Sequence, residues 1–200
     1  MTIKNNFYTK IVHSKQIDDS TYNDIYKLCL KNQENTNYSI DWEKYPNSLL
    51  YALIKQDRFS KENGGMILLY NQQNLIACSG FNKSDFDNKV FLLGSRTLVD
   101  KMYRNNQVIS FYIIPIQIEE SKKLDAKIVA FTFDVSNKFS LYHVFVNNKL
   151  NLLLKNKLFS TYKNLKALDH TINIYNTEQN ILYIELSEYD FDWTKLHRPK

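Results

Sequence analysis

Two periods of apolar residues run along the 200-residue chain. Phe7 to His13 (FYTKIVH) has strand character and predicts the first strand. After Asp18, Asp19 and Ser20, which offer an N-cap and first-turn acid, the period changes. Tyr22, Ile25, Tyr26, Cys29 and Leu30 recur at i, i+3, i+4, i+7 and i+8, which predicts a helix with one buried face. Glu34 to Ser39 is polar and reads as a loop. A second helix is expected from near Asp41 or after Pro46, with Leu49, Leu50, Leu53 and Ile54 on one side. Gly64-Gly65 breaks the chain. Met66 to Tyr70, Leu75 to Phe81 and Val90 to Val99 then read as strands. A short turn (Asn71 to Asn74) and a longer polar one (Asn82 to Asn88) join them into an antiparallel meander.

The stretch from Lys89 to Tyr142 organises the rest. Its order is strand, loop, helix, strand, the pattern of two parallel strands flanking a crossover. Val108 to Ile118 (VISFYIIPIQI) carries β-branched and aromatic residues and Pro115, so local propensity favours a strand. Its place in the unit and the helical tail Glu119 to Leu124 favour a helix, buried on most sides and kinked near Pro115. Lys127 to Asp134 is the next strand. Ser136 is expected to cap a helix carrying Phe139, Tyr142, Val146 and Leu150. Residues 147–161 form a long basic connection. Thr171 to Tyr175 and Asn180 to Leu186 are expected to pair around a turn at Asn176 to Gln179. The fold class is α+β in a single domain over residues 1–200, with a mixed sheet of about seven strands and helices on both faces.

The loop Arg104 to Ile109 follows a strand and precedes a helix. Unpaired amides and the positive end of a helix dipole meet there, which suits a phosphate. At these residues the chain resembles a known family. Val99-Asp100-Lys101-Met102-Tyr103-Arg104-Asn105-Asn106-Gln107-Val108-Ile109 is similar to the V-x-P-x-Y-R-x-x-G-x-G stretch of the GNAT superfamily of N-acyltransferases. Val99, Tyr103 and Arg104 match in register. Lys101 stands in place of the usual proline, and Gln107 and Ile109 in place of both glycines. Asn137 resembles the family asparagine that contacts the pantetheine arm. The likeness covers roughly Gly64 to Phe145.

The resemblance implies a GNAT-like sheet, with acetyl-CoA or another acyl-CoA as co-substrate. Leu98, Val99, Arg104, Asn105, Asn106, Gln107, Val108 and Ile109 would hold it, with Asn137 on the pantetheine. It implies transfer of an acyl group to a small-molecule or protein amine. The alternative is a GNAT-shaped module without catalysis that works by binding. The family's acid is a tyrosine seven residues after the asparagine, and Val144 occupies that position. Tyr142 lies two positions earlier, about 200° around a helix. It serves as the acid only if the helix starts late or is rotated, and His143 is its neighbour. Asp100, Ser79, Ser95 and Thr97 are candidate bases, and a water chain would also suffice.

Composition narrows the field without changing this picture. With 44% apolar and 24% charged residues the chain has the makings of a packed core rather than of disorder. A net charge of +5 would favour an anionic ligand. The basic residues form no run or stripe and no RRM aromatic pattern occurs, so nucleic acid is not an expected partner. A homodimer is compatible with everything above. Cys29 and Cys78 stand alone without metal or redox spacing and read as small buried hydrophobes. The polar start MTIKNNFYTK and the lack of a long apolar run predict a cytoplasmic protein without a membrane span or metal site. HExxH, Walker and GxSxG motifs are absent.

Overall fold

A computed structural model describes residues 6–46, 48–104, 107–137, 140–147, 162–174 and 177–196. An eight-stranded sheet forms its middle layer. The first four strands are β1 (Phe7–Val12), β2 (Gly64–Asn71), β3 (Asn74–Lys83) and β4 (Val90–Val99). They are antiparallel neighbours. β5 (Ile128–Asp134) then lies parallel to β4, and β8 (Thr177–Glu185) antiparallel to β5. Two short strands, β6 (Leu165–Ala167) and β7 (Ile172–Ile174), pair with β8. The mixed α+β sheet is the one expected, with one strand more, because β6 is too short to announce itself by alternation.

Helices cover both faces. β2 is buried along seven of its eight residues, and its alternating side chains feed two cores. Met66, Leu68 and Tyr70 face α1 (Asp19–Leu30) and α2 (Leu49–Ile54) in one cluster. Ile67 and Leu69 face α3 (Ile114–Lys123) in another. Beyond the reach of α1 and α2, the same face of β4, β5 and β8 is closed by a third cluster around Val90, Ile128, Ile181 and Trp193. Among the described residues no helix is long and apolar enough to cross a membrane.

Local chemistry sets the helix ends. Asp18 caps α1 by accepting from the Thr21 amide at 2.7 Å. That bond and Lys10 hold its carboxyl down at about 2. Leu28 rather than Leu30 completes the buried face of α1, and Leu30 is 47% exposed. α2 begins at Leu49, where the Ser48 hydroxyl accepts from the Tyr51 amide. The 71–74 turn is a two-residue connection, with Gln72 at a φ of 56°. Both cysteines are buried, and burial pushes the Cys29 thiol up to about 12.

Three expectations need correction. The run from Ile109 begins as a π turn (Ile109–Ile113), in which the Ile114 amide donates to the Ile109 carbonyl. Pro115 has no N–H and its ring crowds the preceding turn, so the wider turn relieves it. Only the sheet side of this helix is buried, and Phe111 and Tyr112 are 45% and 39% exposed. α4 (Leu141–Val146) starts later than expected, after Ser140 rather than Ser136. The Ser136 amide and hydroxyl instead bond the Asp134 carboxylate, closing a turn. Phe139 and Leu150, placed in that helix by the sequence, lie outside the described residues, as does most of the 147–161 connection. Finally, Thr177 to Gln179 belong to β8, because Thr177 pairs directly with Ile174.

Gly80 shows how tightly the α2 side is packed. A Cβ there would meet the Phe59 ring and lie 2.9 Å from the Ser95 carbonyl oxygen. Gly80→Ala is therefore expected to lower stability by about 1–3 kcal/mol, through overpacking. A shifted urea midpoint at unchanged m-value would verify this, and an unshifted midpoint would refute it.

Candidate functional site

β4 is longer than its partner allows. From Ala77 to Phe81, β3 advances four residues, while the paired stretch of β4 from Val99 to Leu93 covers six. The two extra residues of β4 (6 − 4) form a double bulge. Gly94 sits at a φ of 80° and Arg96 at 54° within it. On the other side, β4 pairs with β5 only from Val90↔Ile128 to Leu93↔Phe131. Past the bulge β4 stays with β3, and β5 stays with β8 as far as Asp134. The two parallel strands thus part at their C-terminal ends, and a slot opens between them.

Hydroxyl groups line the bulge. Ser95 Oγ donates to Asn82 Oδ1 at 2.8 Å, and Thr97 Oγ1 donates to the Gly94 carbonyl at 2.8 Å. Ser79 Oγ lies 2.6 Å from Thr97 Oγ1. The Tyr38 phenol donates to the Thr97 carbonyl at 2.6 Å, and burial pushes it up to about 12. Asn82 also lines a polar cavity of about 480 Å³, shared with Gln56, Arg58, Asn63 and Lys83.

The chain leaving β4 is strapped to the C-terminal end of α1. Asp100 caps the turn Lys101–Tyr103 through the Met102 amide and binds Lys31 at 2.9 Å. Lys101 pairs with Glu34 at 3.1 Å. Arg104 donates from Nε to the Val99 carbonyl at 3.2 Å and from its terminal nitrogen to Asn32 Oδ1 at 2.6 Å. Tyr103 accepts from Asn71 Nδ2 at 2.9 Å. Partial burial alone would raise the Asp100 carboxyl, but Lys31, the Met102 amide and Arg104 together bring it below its usual range. An acid held ionised in this way is a strut rather than a proton acceptor tuned near neutrality.

Asn105 and Asn106 lie outside the described residues. Gln107 follows at a φ of 51°, the left-handed region that glycine favours. The Phe111 amide then donates to the Gln107 carbonyl. The amides of Val108, Ile109 and Ser110 therefore belong to the first turn of the helical run, whose N–H groups have no acceptor within the helix itself. Val108 is buried, and Ile109 packs against the α3-side core. Leu98 is buried in the α1 and α2 core, so it offers the slot only its backbone.

Beyond β5, Asn137 is exposed and its amide donates to the Asp134 carbonyl at 2.9 Å. Tyr142 is half-buried and its phenol donates to the Leu168 carbonyl at 3.0 Å. The neighbouring His143 ring meets Tyr142 edge-on. Among the described residues no group of three His, Cys, Asp or Glu side chains could hold a metal ion.

No family model and no curated sequence matches this chain. Solved structures do. A crystal structure of the Salmonella typhimurium acetyltransferase that modifies the N-terminal serine of ribosomal protein L7/L12 aligns with a TM-score of 0.56 at 13% identity, over 90% of this chain and 95% of that one. RimL, an L7/L12 N-protein acetyltransferase in complex with coenzyme A, aligns at 0.54 and 14%, over 88% and 93%. A Staphylococcus aureus acetyltransferase of the GNAT family aligns at 0.52 and 17%, over 90% and 100%. The fold is the GNAT fold. At these identities the likeness extends to the fold alone.

The first turn ahead of α3 follows the loop that leaves β4. The sequence drew attention to that loop but not to Gln117, whose amide holds β3 beneath the bulge. Its signal was a polar residue inside the apolar run VISFYIIPIQI. The bulge itself was marked only by Gly94.

The strap gives a pH prediction. Asp100 has a depressed folded-state pKa, so its contribution to stability is complete above the unfolded carboxylate value near about 4. That contribution is lost as pH falls through the lower folded value. Asp100→Asn should lose this component, so that the acid limb of its stability curve is shallower than that of the wild type. Superimposable limbs in urea titrations across the acid range would contradict it.

Proposed function

We propose that the chain is an N-acyltransferase that moves an acetyl or other acyl group from acyl-CoA to an amine. The observation that carries this reading is the slot between β4 and β5, with the Arg104–Ile109 loop and a helix start at its open end. The donor set suits a pyrophosphate. The first-turn amides of Val108 to Ser110 are hydrogen-bond donors, and Gln107 already has the backbone conformation of a glycine. Leu98 and Val99 would flank the thioester arm by their backbone, and Asn137 would meet the pantetheine. Asn105 and Asn106 complete the loop in this proposal. Arg104 contributes field rather than a direct contact, since Val99 and Asn32 engage its guanidinium.

In the reaction the acceptor nitrogen attacks the thioester carbonyl, a C–N bond forms, and the C–S bond breaks with the electron pair leaving on sulfur. The amine proton passes to water, because the bulge hydroxyls are weak bases already hydrogen-bonded within the protein and Asp100, despite partial burial lowered below its usual range by Lys31 and the Met102 amide, is a poor proton acceptor. The polar cavity beside Asn82 favours a hydrophilic acceptor. Both a small amine and a protein N-terminus, the acceptor of one structural neighbour, belong in a substrate panel.

For the leaving thiolate we assign Tyr142. α4 starts late, as that role requires. In the resting state its proton points to Leu168, so it must leave that carbonyl when thioester binds. Tyr142→Phe is expected to lower kcat by about 10²–10⁴-fold with little change in CoA affinity. Full turnover by the variant would leave protonation to water.

A second reading is a GNAT-shaped binding module without catalysis, favoured by a loop in which Gln107 keeps its side chain and buries an unpartnered Oε1. Calorimetry with acetyl-CoA separates the two. Binding is expected, with about 2.7 kcal/mol of stabilisation at a hundred times Kd. Gln107→Gly should tighten it by easing the backbone and opening the approach. An absence of binding in both proteins would favour the module.

A further inference from the structure

Arg96 sits at a φ of 54° in the β4 bulge, a left-handed conformation that is unfavourable for a residue with a side chain, whereas Gly94 adopts its φ of 80° freely. A one-way chain of hydrogen bonds holds the bulge. Thr97 has a single hydroxyl proton and gives it to the Gly94 carbonyl at 2.8 Å. Ser79 Oγ, 2.6 Å from Thr97 Oγ1, must therefore be the donor in that pair. The Ser79 oxygen is left to accept, and Gln117 Nε2 donates to it at 3.1 Å. The same nitrogen donates to the Ser79 and Gly80 carbonyls, both at 2.9 Å. Two hydrogens serve three acceptors, so one is shared. Turning the amide over would set its oxygen against two carbonyl oxygens, so its orientation is fixed by its surroundings.

Gln117 is fully buried. It grips β3 at Ser79 and Gly80, the step where the β3–β4 register shifts. It also belongs to α3, and the helical run ahead of α3 begins at the loop assigned to the pyrophosphate.

We infer that Gln117 is a positioning residue. Through Ser79 and Thr97 it fixes the shape of the bulge, so that one helical segment sets both the phosphate end and the acyl end of the slot. Its consequence for turnover rests on the function proposed above. Its hold on the bulge does not.

The experiment compares Gln117→Met, which keeps the volume and removes both donors, with Gln117→Glu. Three readouts are taken: amide hydrogen exchange at residues 94–97, calorimetric affinity for CoA, and kcat with acetyl-CoA and an amine panel. Faster exchange confined to the bulge and its β3 neighbours is expected in both variants, with CoA affinity within about twofold and kcat lower by about 10–100-fold. The glutamate variant adds a signature that a filler of the core would not give. Burial against carbonyl oxygens raises its pKa, and it can donate only when protonated. Its turnover relative to wild type should therefore recover as pH is lowered from about 8 to about 6.

Unchanged exchange at 94–97 in both folded variants would overturn the inference. So would unchanged kcat in an active background, or loss of the fold in both variants, which would make Gln117 a general core residue. If the wild type binds no CoA, the proposed function fails, while the exchange result still decides what Gln117 holds.

Discussion

Everything at the candidate site depends on a mismatch of two residues between β3 and β4. A strand with surplus length beside a regular partner must bulge, and a bulge turns the strand and increases its twist. Here that turn comes where β4 stops pairing with β5. Without it two parallel strands would continue as one sheet. The left-handed conformations at Gly94 and Arg96 are the backbone expression of this constraint, and the hydroxyl chain beneath them is its support.

The loop after β4 is constrained from the opposite side. Lys31–Asp100, Lys101–Glu34 and Arg104–Asn32 tie it to the end of α1. Of the three, Lys101–Glu34 is the exposed ion pair, a kind that adds little stability by itself, whereas Asp100 and Asn32 are buried. The joint effect of the three is geometric, because the loop spans from a buried strand to a buried helix start and the strap limits where it runs. It also accounts for an arginine that matches a phosphate-loop motif while spending its hydrogen bonds within the protein.

Much of the fold was legible in the sequence, for identifiable reasons. Val90–Val99 was read to the residue, because a polar turn precedes it and Asp100 follows. The α1 start was clear from Asp18. The least certain segment, Val108 to Ile118, proved helical against its β-branched content. There the sheet-facing positions Ile114, Gln117, Ile118 and Ser121 follow a helical period that Pro115 and the aromatics obscured. The start of α4 was misplaced because Ser136 and Ser140 both suit a cap, and only the Asp134 turn distinguishes them. The site was half legible. A loop between strand and helix can be read from one dimension, whereas a register mismatch and a buried glutamine reaching across to β3 exist only once the strands are paired.

On the function proposed above, the parting of β4 and β5 makes a slot for an acyl-CoA. Amide chemical-shift mapping on titration with acetyl-CoA tests it most directly. The account predicts perturbations gathered at residues 94–99, at 107–110 and at the end of β5 through Asn137, with the outer strand β1 unaffected. Perturbations centred elsewhere, or none at saturating ligand, would contradict it.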